Sequence, residues 1–403
     1  MLRWLTAGES HGPSLIATID GVPAGVAIQT ATIEKALARR RLGHGRGGRQ
    51  SFEKDRVRML GGIRHGFSTG APIAVEIANS EWPQWQTVMS ADPVDPADLL
   101  IDAGTGDERE IARNKPLTRP RPGHADLAGM MSYDLAEARP VLERASARES
   151  AARVALGAIA EAIVDQVAGI RLVSHVVQVG ALRADTALLP VPDDEDALDA
   201  SPMRTLDAEL SNRFVELVDE TKKAGDTIGG VGEVVAWNVP IGLGSHVQAD
   251  RRLDARLAQA IMSIQSVKGV EIGDGFAQAA LPGSRAHDEI IRGDDGHLTR
   301  SSNRAGGIEG GTSNGQPIVV RAAFKPISTV PKALRSIDLA TGEESVGLHQ
   351  RSDTCQVVPG ALIAQAECAL VLADALFAHA GGNSVGEMRR NLLGYLERVG
   401  ERI

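Results

Sequence analysis

The sequence predicts a mixed fold of helices and sheets, α+β or α/β, from three observations. Ala-rich segments with apolar residues at helical spacing alternate along the chain with short runs of branched residues. Gly- and Pro-rich loops separate them at residues 43–48, 115–123, 306–315 and 342–347. Aromatic residues make up only 3% of a chain that is 43% hydrophobic, so the core must be built from Ala, Val, Leu and Ile. Ala has the highest helix propensity and lets helices pack closely.

The branched runs place strands at 16–19, 73–77, 171–179, 232–239 and 317–323. The first predicted helix covers 33–42, with Thr32 as N-cap and Gly43 as its stop. A second covers 146–167 and ends before Gly169; within it Val154, Ala155, Ala158, Ile159, Ala162 and Ile163 recur at helical spacing. Further helices are expected at 208–224, 253–264, 361–380 and 386–399. Residues 188–202, which contain VPDDEDALDASP, read as an exposed acidic loop. No repeat or linker divides the chain, so residues 1–403 are expected to form one unit.

Composition excludes several functions. A formal net charge of −9 argues against nucleic acid as the main partner. Cys355 and Cys368 form no CxxC pair, which fits a reducing cytoplasm. The N-terminus lacks the apolar stretch of a signal peptide, and no run of 18 apolar residues suggests a membrane span. There is no phosphate loop of the GxxxxGK[ST] type, no GxGxxG in a strand–turn–helix setting, and no HExxH or paired-Cys pattern, so no metal is expected.

Four segments could carry chemistry. In Gly8-Glu9-Ser10-His11-Gly12, a His in a flexible turn can approach a ligand, although the motif taken alone favours a solvated surface His. Between Arg39 and Arg49 five arginines fall within eleven positions. A helix C-terminus accounts for Arg39, Arg40 and Arg41 but not for Arg46 and Arg49. Glycines between arginines let guanidinium forks converge on one small polyanion. An RNA-binding GRGGR segment is the alternative, disfavoured by the acidic chain. In Arg119-Pro120-Arg121-Pro122-Gly123-His124-Ala125-Asp126, prolines stiffen the loop that presents His124 beside Arg121. His124 could then protonate an anionic leaving group, while Asp126 is either functional or a helix cap. Arg144-Ala145-Ser146-Ala147-Arg148-Glu149-Ser150 opens a long helix, where backbone N–H groups can bind phosphate and Ser146 with Glu149 can form a capping box. Asp353, next to Arg351, reads most simply as half of a surface ion pair.

Taken in order, GESHG, the GxGRGGR loop, RPGHAD, ASARES, VEIGDGF, GGIEGGTSNG, FKPISTV and RSDTC resemble the signature blocks of the chorismate synthase family, from Gly8 to Cys355. The resemblance implies long helices held between antiparallel β-sheets and a homotetramer. It implies a cytoplasmic enzyme that removes phosphate from 5-enolpyruvylshikimate 3-phosphate by anti-1,4-elimination, with reduced FMN as cofactor. By the same match His11, His124 and Asp353 are catalytic, and Ser10, Arg40, Arg46, Arg49, Arg121, Arg148 and Arg351 bind substrate. Arg144, Ala145, Ser146, Gln265, Ser266, Gly310, Lys325, Pro326, Ile327, Ser328, Thr329 and Arg351 would hold FMN, and Arg40 and Arg46 would also contact NADP. NADPH serves as an indirect reductant, or a separate flavin reductase supplies the electrons. The sequence departs from the family at Ser352, where many members carry His, at Gln265-Ser266 in place of Asn-Ala, and at Ser150 in place of Thr. The rival enzyme class is an FMN oxidoreductase that binds NADPH through the arginine loop.

Overall fold

The computed structural model describes residues 1–47, 55–99, 113–185, 188–294, 296–348 and 352–401. Near the N-terminus β1 (Arg3–Ala7), β2 (Ser14–Asp20), β3 (Arg56–Gly61) and β4 (Ile73–Ala78) form an antiparallel sheet in the order β1-β2-β4-β3. A second antiparallel sheet runs β8-β9-β7-β5-β6, from β5 (Arg171–Val179), β6 (Leu182–Arg183), β7 (Gly230–Trp237), β8 (Val267–Ile272) and β9 (Ile318–Phe324).

Alternation explains the first sheet. Leu15, Ala17 and Ile19 on β2 and Ile73, Val75 and Ile77 on β4 are buried on one face, and the residues between them are more exposed. On that buried face lie α1 (Thr30–Arg40) and α4 (Ser150–Ala168). Against α4 packs the 24-residue α8 (Val357–Ala380), whose other side meets β5 and β7. The layers are therefore sheet, helices, sheet, and long helices do lie between antiparallel sheets. Small residues let the layers close: a Cβ on Gly157 of α4 would sit 2.3 Å from the Ala366 Cβ, and one on Gly232 of β7 would sit 2.8 Å from the Ala361 Cβ. One hydrophobic cluster draws on residues from Leu2 to Leu392. α8 is long and apolar enough to cross a membrane, yet 83% of its most apolar stretch is buried inside the protein. It is a core helix.

Further helices include α2 (Asp126–Tyr133), α3 (Arg139–Arg144), α5 (Glu195–Ala200), α6 (Ala208–Lys223), α7 (Leu253–Met262) and α9 (Val385–Gly400). Three expectations need correction. α1 begins at Thr30 after Gln29, so Thr32 lies inside its first turn rather than capping it. Buried Ile33 and Leu37 fix the axis, and no side chain caps the start. Gly43, two residues past the C-cap Arg41, takes φ 111°, where a Cβ would meet Val358 at 2.8 Å. Ser146 caps a 3₁₀ turn at Ala147–Glu149, accepting from the Arg148 N–H, and α4 starts only at Ser150. The acidic 188–202 stretch contains α5, anchored by fully buried Leu198.

Candidate active site

The N-terminal turn is held by hydrogen bonds at Ser10 and His11. Gly8 adopts φ 98° with Ser14 O only 2.4 Å from where a Cβ would lie, so no larger residue fits. Ser10 is buried; its N–H donates to Glu143 O at 3.0 Å and its hydroxyl receives a bond from Ser146 at 3.1 Å. The His11 N–H donates to the Glu143 carboxylate, and ring Nδ1 lies 2.9 Å from both of its oxygens. The imidazole stacks on Trp85 with centroids 3.7 Å apart. A carboxylate at Nδ1 fixes the tautomer with the proton on that nitrogen.

Arg144 donates to Gly8 O and Thr6 O, each at 3.0 Å, and thereby ties the end of α3 to this turn. Arg148 is buried and paired with Asp55 at 3.2 Å. Glu149 does not close a capping box with Ser146. Its carboxylate instead receives bonds from Thr6 (2.6 Å), Arg153 (2.9 Å) and Gln265 (2.9 Å). Burial pushes the Glu149 carboxyl up, but Arg153 and these hydrogen bonds outweigh it and the net shift is downward. A surface cavity of about 440 Å³ flanks this region, lined in part by Thr6, Arg144, Arg153, Arg256 and Ser263.

The second cluster is built around Asp126, which is fully buried and caps nothing; the residue before α2 is Ala125. Arg121 grips Asp126 with two bonds, Nε to Oδ2 at 2.8 Å and Nη2 to Oδ1 at 3.1 Å, and its Nη1 donates to Thr329 at 3.0 Å. His124 Nδ1 lies 2.5 Å from Asp126 Oδ1 and 3.0 Å from Arg121 Nη2. Burial would raise the Asp126 carboxyl; the bonds from His124 and Arg121, with the guanidinium charge, hold it far below the usual carboxylate range. Asp126 therefore stays ionised, keeps the His124 proton on Nδ1, and orients the ring as triad carboxylates do.

Lys325 Nζ donates to Gly123 O, and its backbone N–H donates to Ser266 O at 3.0 Å. Burial and the charge of nearby Lys268 depress the Lys325 ammonium, a strain that a bound anion would relieve. Thr227 bonds Ile327 O at 2.8 Å, and the adjacent Ile228 N–H bonds Thr354 O at 3.0 Å. There Asp353 receives Arg46 Nη1 at 2.5 Å and Gly47 N at 2.6 Å. Arg40, at the end of α1, is 6% exposed.

Hydrogen bonds and chain neighbours thus link Ser10, His11, Arg144, Ala145, Ser146, Arg148, Gln265, Ser266, the 325–329 segment, Arg121, His124, Arg46 and Asp353 into one network. Arg49 and Arg351 lie outside the described residues. Gly310 stands apart. Its hairpin, Ile308–Glu309 with Thr312–Ser313, meets the first turn of α7 through Leu253 N to Gly311 O (2.8 Å), whereas Gln265 follows the other end of that helix. A ten-residue helix is about 15 Å long. Sequence reasoning missed Glu143 and Trp85 and left Asp126 open. Trp85 had a signal, because aromatics are scarce here; Glu143 had none, because its bond to His11 spans 132 positions.

Comparison with known proteins identifies the family. The profile of the chorismate synthase family matches residues 2–377. The chain is 62% identical over 402 residues to a chorismate synthase of Beutenbergia cavernae, covering 100% of this chain and 99% of that one. It is 59% identical to one from a Nocardioides species, with 99% of each covered. A crystal structure of a chorismate synthase superposes with a TM-score of 0.76 at 36% identity, covering 99% of this chain and 98% of that one. The chain belongs to the chorismate synthase family.

Proposed function

We propose that this chain converts 5-enolpyruvylshikimate 3-phosphate to chorismate by anti-1,4-elimination of phosphate, a carbon–oxygen lyase step of the shikimate pathway towards aromatic amino acids. The C–O bond to phosphate breaks, the C6 hydrogen departs, and no net oxidation results. The observation that carries the reading is the buried Arg121–Asp126–His124 cluster, which sets a guanidinium and an oriented imidazole side by side. His124 Nε2 gives its proton to the departing phosphate, and Arg121 stabilises the anion. Arg40, Arg46, Arg49, Arg148 and Arg351 hold the remaining anionic groups; hydrogen bonds to charged groups contribute about 1.5–3 kcal/mol each.

The residues present fit reduced FMN. Gln265 Oε1 is buried with no hydrogen-bond partner among the described residues, an acceptor suited to a ring N–H. Lys325 beside Lys268 suits the phosphate, with Arg144, Ala145, Ser146 and Ser266 completing the set. Gly310 of the same chain is separated from them by α7. When bound, reduced FMN supplies transient electron density that weakens the C–O bond, which no side chain can do. His11, fixed by Glu143, serves as proton source towards the cofactor, and Asp353 assists removal of the C6 hydrogen. NADPH acts as an indirect reductant, or a separate reductase does. A cytoplasmic homotetramer is the expected assembly.

The test is anaerobic. Purified protein with chemically reduced FMN and substrate should release phosphate and form chorismate. Equal turnover without flavin, or with oxidised FMN under air, would reject the assignment. NADPH oxidation by bound FMN without phosphate release would favour the oxidoreductase.

A further inference from the structure

The sequence predicts solvent-exposed acidic surface at 188–202, yet side chains from there end on the turn that carries the arginines. Arg39, next to Arg40, is gripped by two carboxylates of α5: Nη2 to Glu195 at 2.7 Å and Nε to Asp199 at 3.0 Å. Asp199 is held in turn by Arg204, a residue 1% exposed whose φ of 52° is left-handed. Non-glycine residues seldom adopt that conformation. Beyond α1 the grip continues: the His44 N–H donates to Pro202 O at 2.9 Å, and His44 Nε2 meets Asp219 of α6 at 2.7 Å. The hydrogen bond to His44 lowers the Asp219 carboxyl. Gly45 passes so close to α6 that a Cβ would lie 2.6 Å from Val218, and its carbonyl accepts from Thr354 N at 2.8 Å.

The approach to Arg46, at Arg39 and His44, is therefore anchored on residues 195–219, while Gly45 and Gly47 are held by Thr354 and Asp353. We infer that Glu195, Asp199, Pro202 and Asp219 are positioning residues for the arginine turn: without touching a ligand, they set where Arg40 and Arg46 stand. The inference rests on the reading that these arginines bind the anionic substrate. His124 is held by other residues, and Asp353 keeps its direct bonds from Arg46 and Gly47 when Asp219 is replaced, so loosening the His44 side of the turn acts mainly on binding.

The experiment compares Asp219→Ala, Asp219→Asn and Arg46→Ala as full-length protein with reduced FMN under anaerobic conditions. Asp219 lies on the surface, so its replacement leaves the fold in place. Asp219→Ala should raise KM for substrate about fivefold with kcat within about twofold, the upper end for an exposed pair. Asp219→Asn keeps an acceptor oxygen and should recover most of the loss. Trypsin should cut after Arg46 faster in Asp219→Ala than in the parent. Parental KM and parental cleavage in Asp219→Ala, beside a raised KM in Arg46→Ala, would overturn the positioning role alone. An unchanged KM in Arg46→Ala would instead sink the substrate-binding reading of the turn, and the cleavage rate would still decide whether Asp219 holds it.

Discussion

His11 and His124 are the same side chain in two electrostatic settings. His11 is held by one carboxylate, Glu143, and by the face of Trp85. His124 shares its carboxylate with Arg121 inside a buried network. Both rings have Nδ1 held by a carboxylate. His124 stands beside a guanidinium, where a phosphate can leave as an anion without its charge going uncompensated. The neighbours, not the imidazole, assign the task.

The largest expected effect is at His124. His124→Ala should lower kcat by about 10²–10⁴-fold, the usual size of lost acid catalysis; near-parental turnover in that variant would remove the contrast between the two rings. Asp126→Asn should follow, at about 10³-fold in kcat, because an amide no longer holds the Nδ1 proton in place. It also leaves Arg121 buried and unpaired, at a cost of about 3–5 kcal/mol of stability seen by urea unfolding. The depressed Asp126 carboxyl contributes stability that is present above the ordinary carboxylate range and is lost as pH falls below it. The acid limb of the parent's stability profile should therefore flatten in Asp126→Asn, and an unchanged limb would count against an ionised Asp126.

At His11 a smaller loss is expected. His11→Ala should cost about 10²-fold in turnover, the low end for a proton donor. Substrate affinity, measured by calorimetry, should stay unchanged; a large loss of affinity would move His11 into the substrate pocket. The smallest effect lies away from both rings. Burial pushes the Glu161 carboxyl up to about 7, against the pull of Arg39 and a bond from Gln365. A raised carboxyl contributes stability that is complete below the ordinary carboxylate range and is lost as pH rises through about 7. Glu161→Gln should raise Tm by about 1–2 °C at pH 8 and leave it nearly unchanged at pH 5. The opposite order would mean that Glu161 is ionised and stabilising in the fold.

The same contrast describes what the sequence makes legible. Where a helix buries one periodic face, or a run of branched residues is buried on both faces, the reading is close: 208–224 for Ala208–Lys223, and 171–179 for Arg171–Val179. Short strands with mixed faces escaped, such as Arg3–Ala7 and Arg56–Gly61, in which arginines alternate with Val and Met. α5 escaped because a single leucine, Leu198, anchors it among carboxylates. At the site, both histidines stood out from their motifs, but their partners did not. Asp126 lies within two residues of His124 and could be suspected; Glu143 and Asp219 become partners only after distant segments fold together. Spacing along a chain reveals local geometry and is silent on which remote charge will arrive.

The most direct test is a double-mutant cycle on kcat at His124 and Asp126. If the buried carboxylate works only by holding that imidazole, His124→Ala/Asp126→Asn should turn over no more slowly than His124→Ala alone. Multiplying losses would mean that each residue has a separate task, and that the environment of the ring does not set its role.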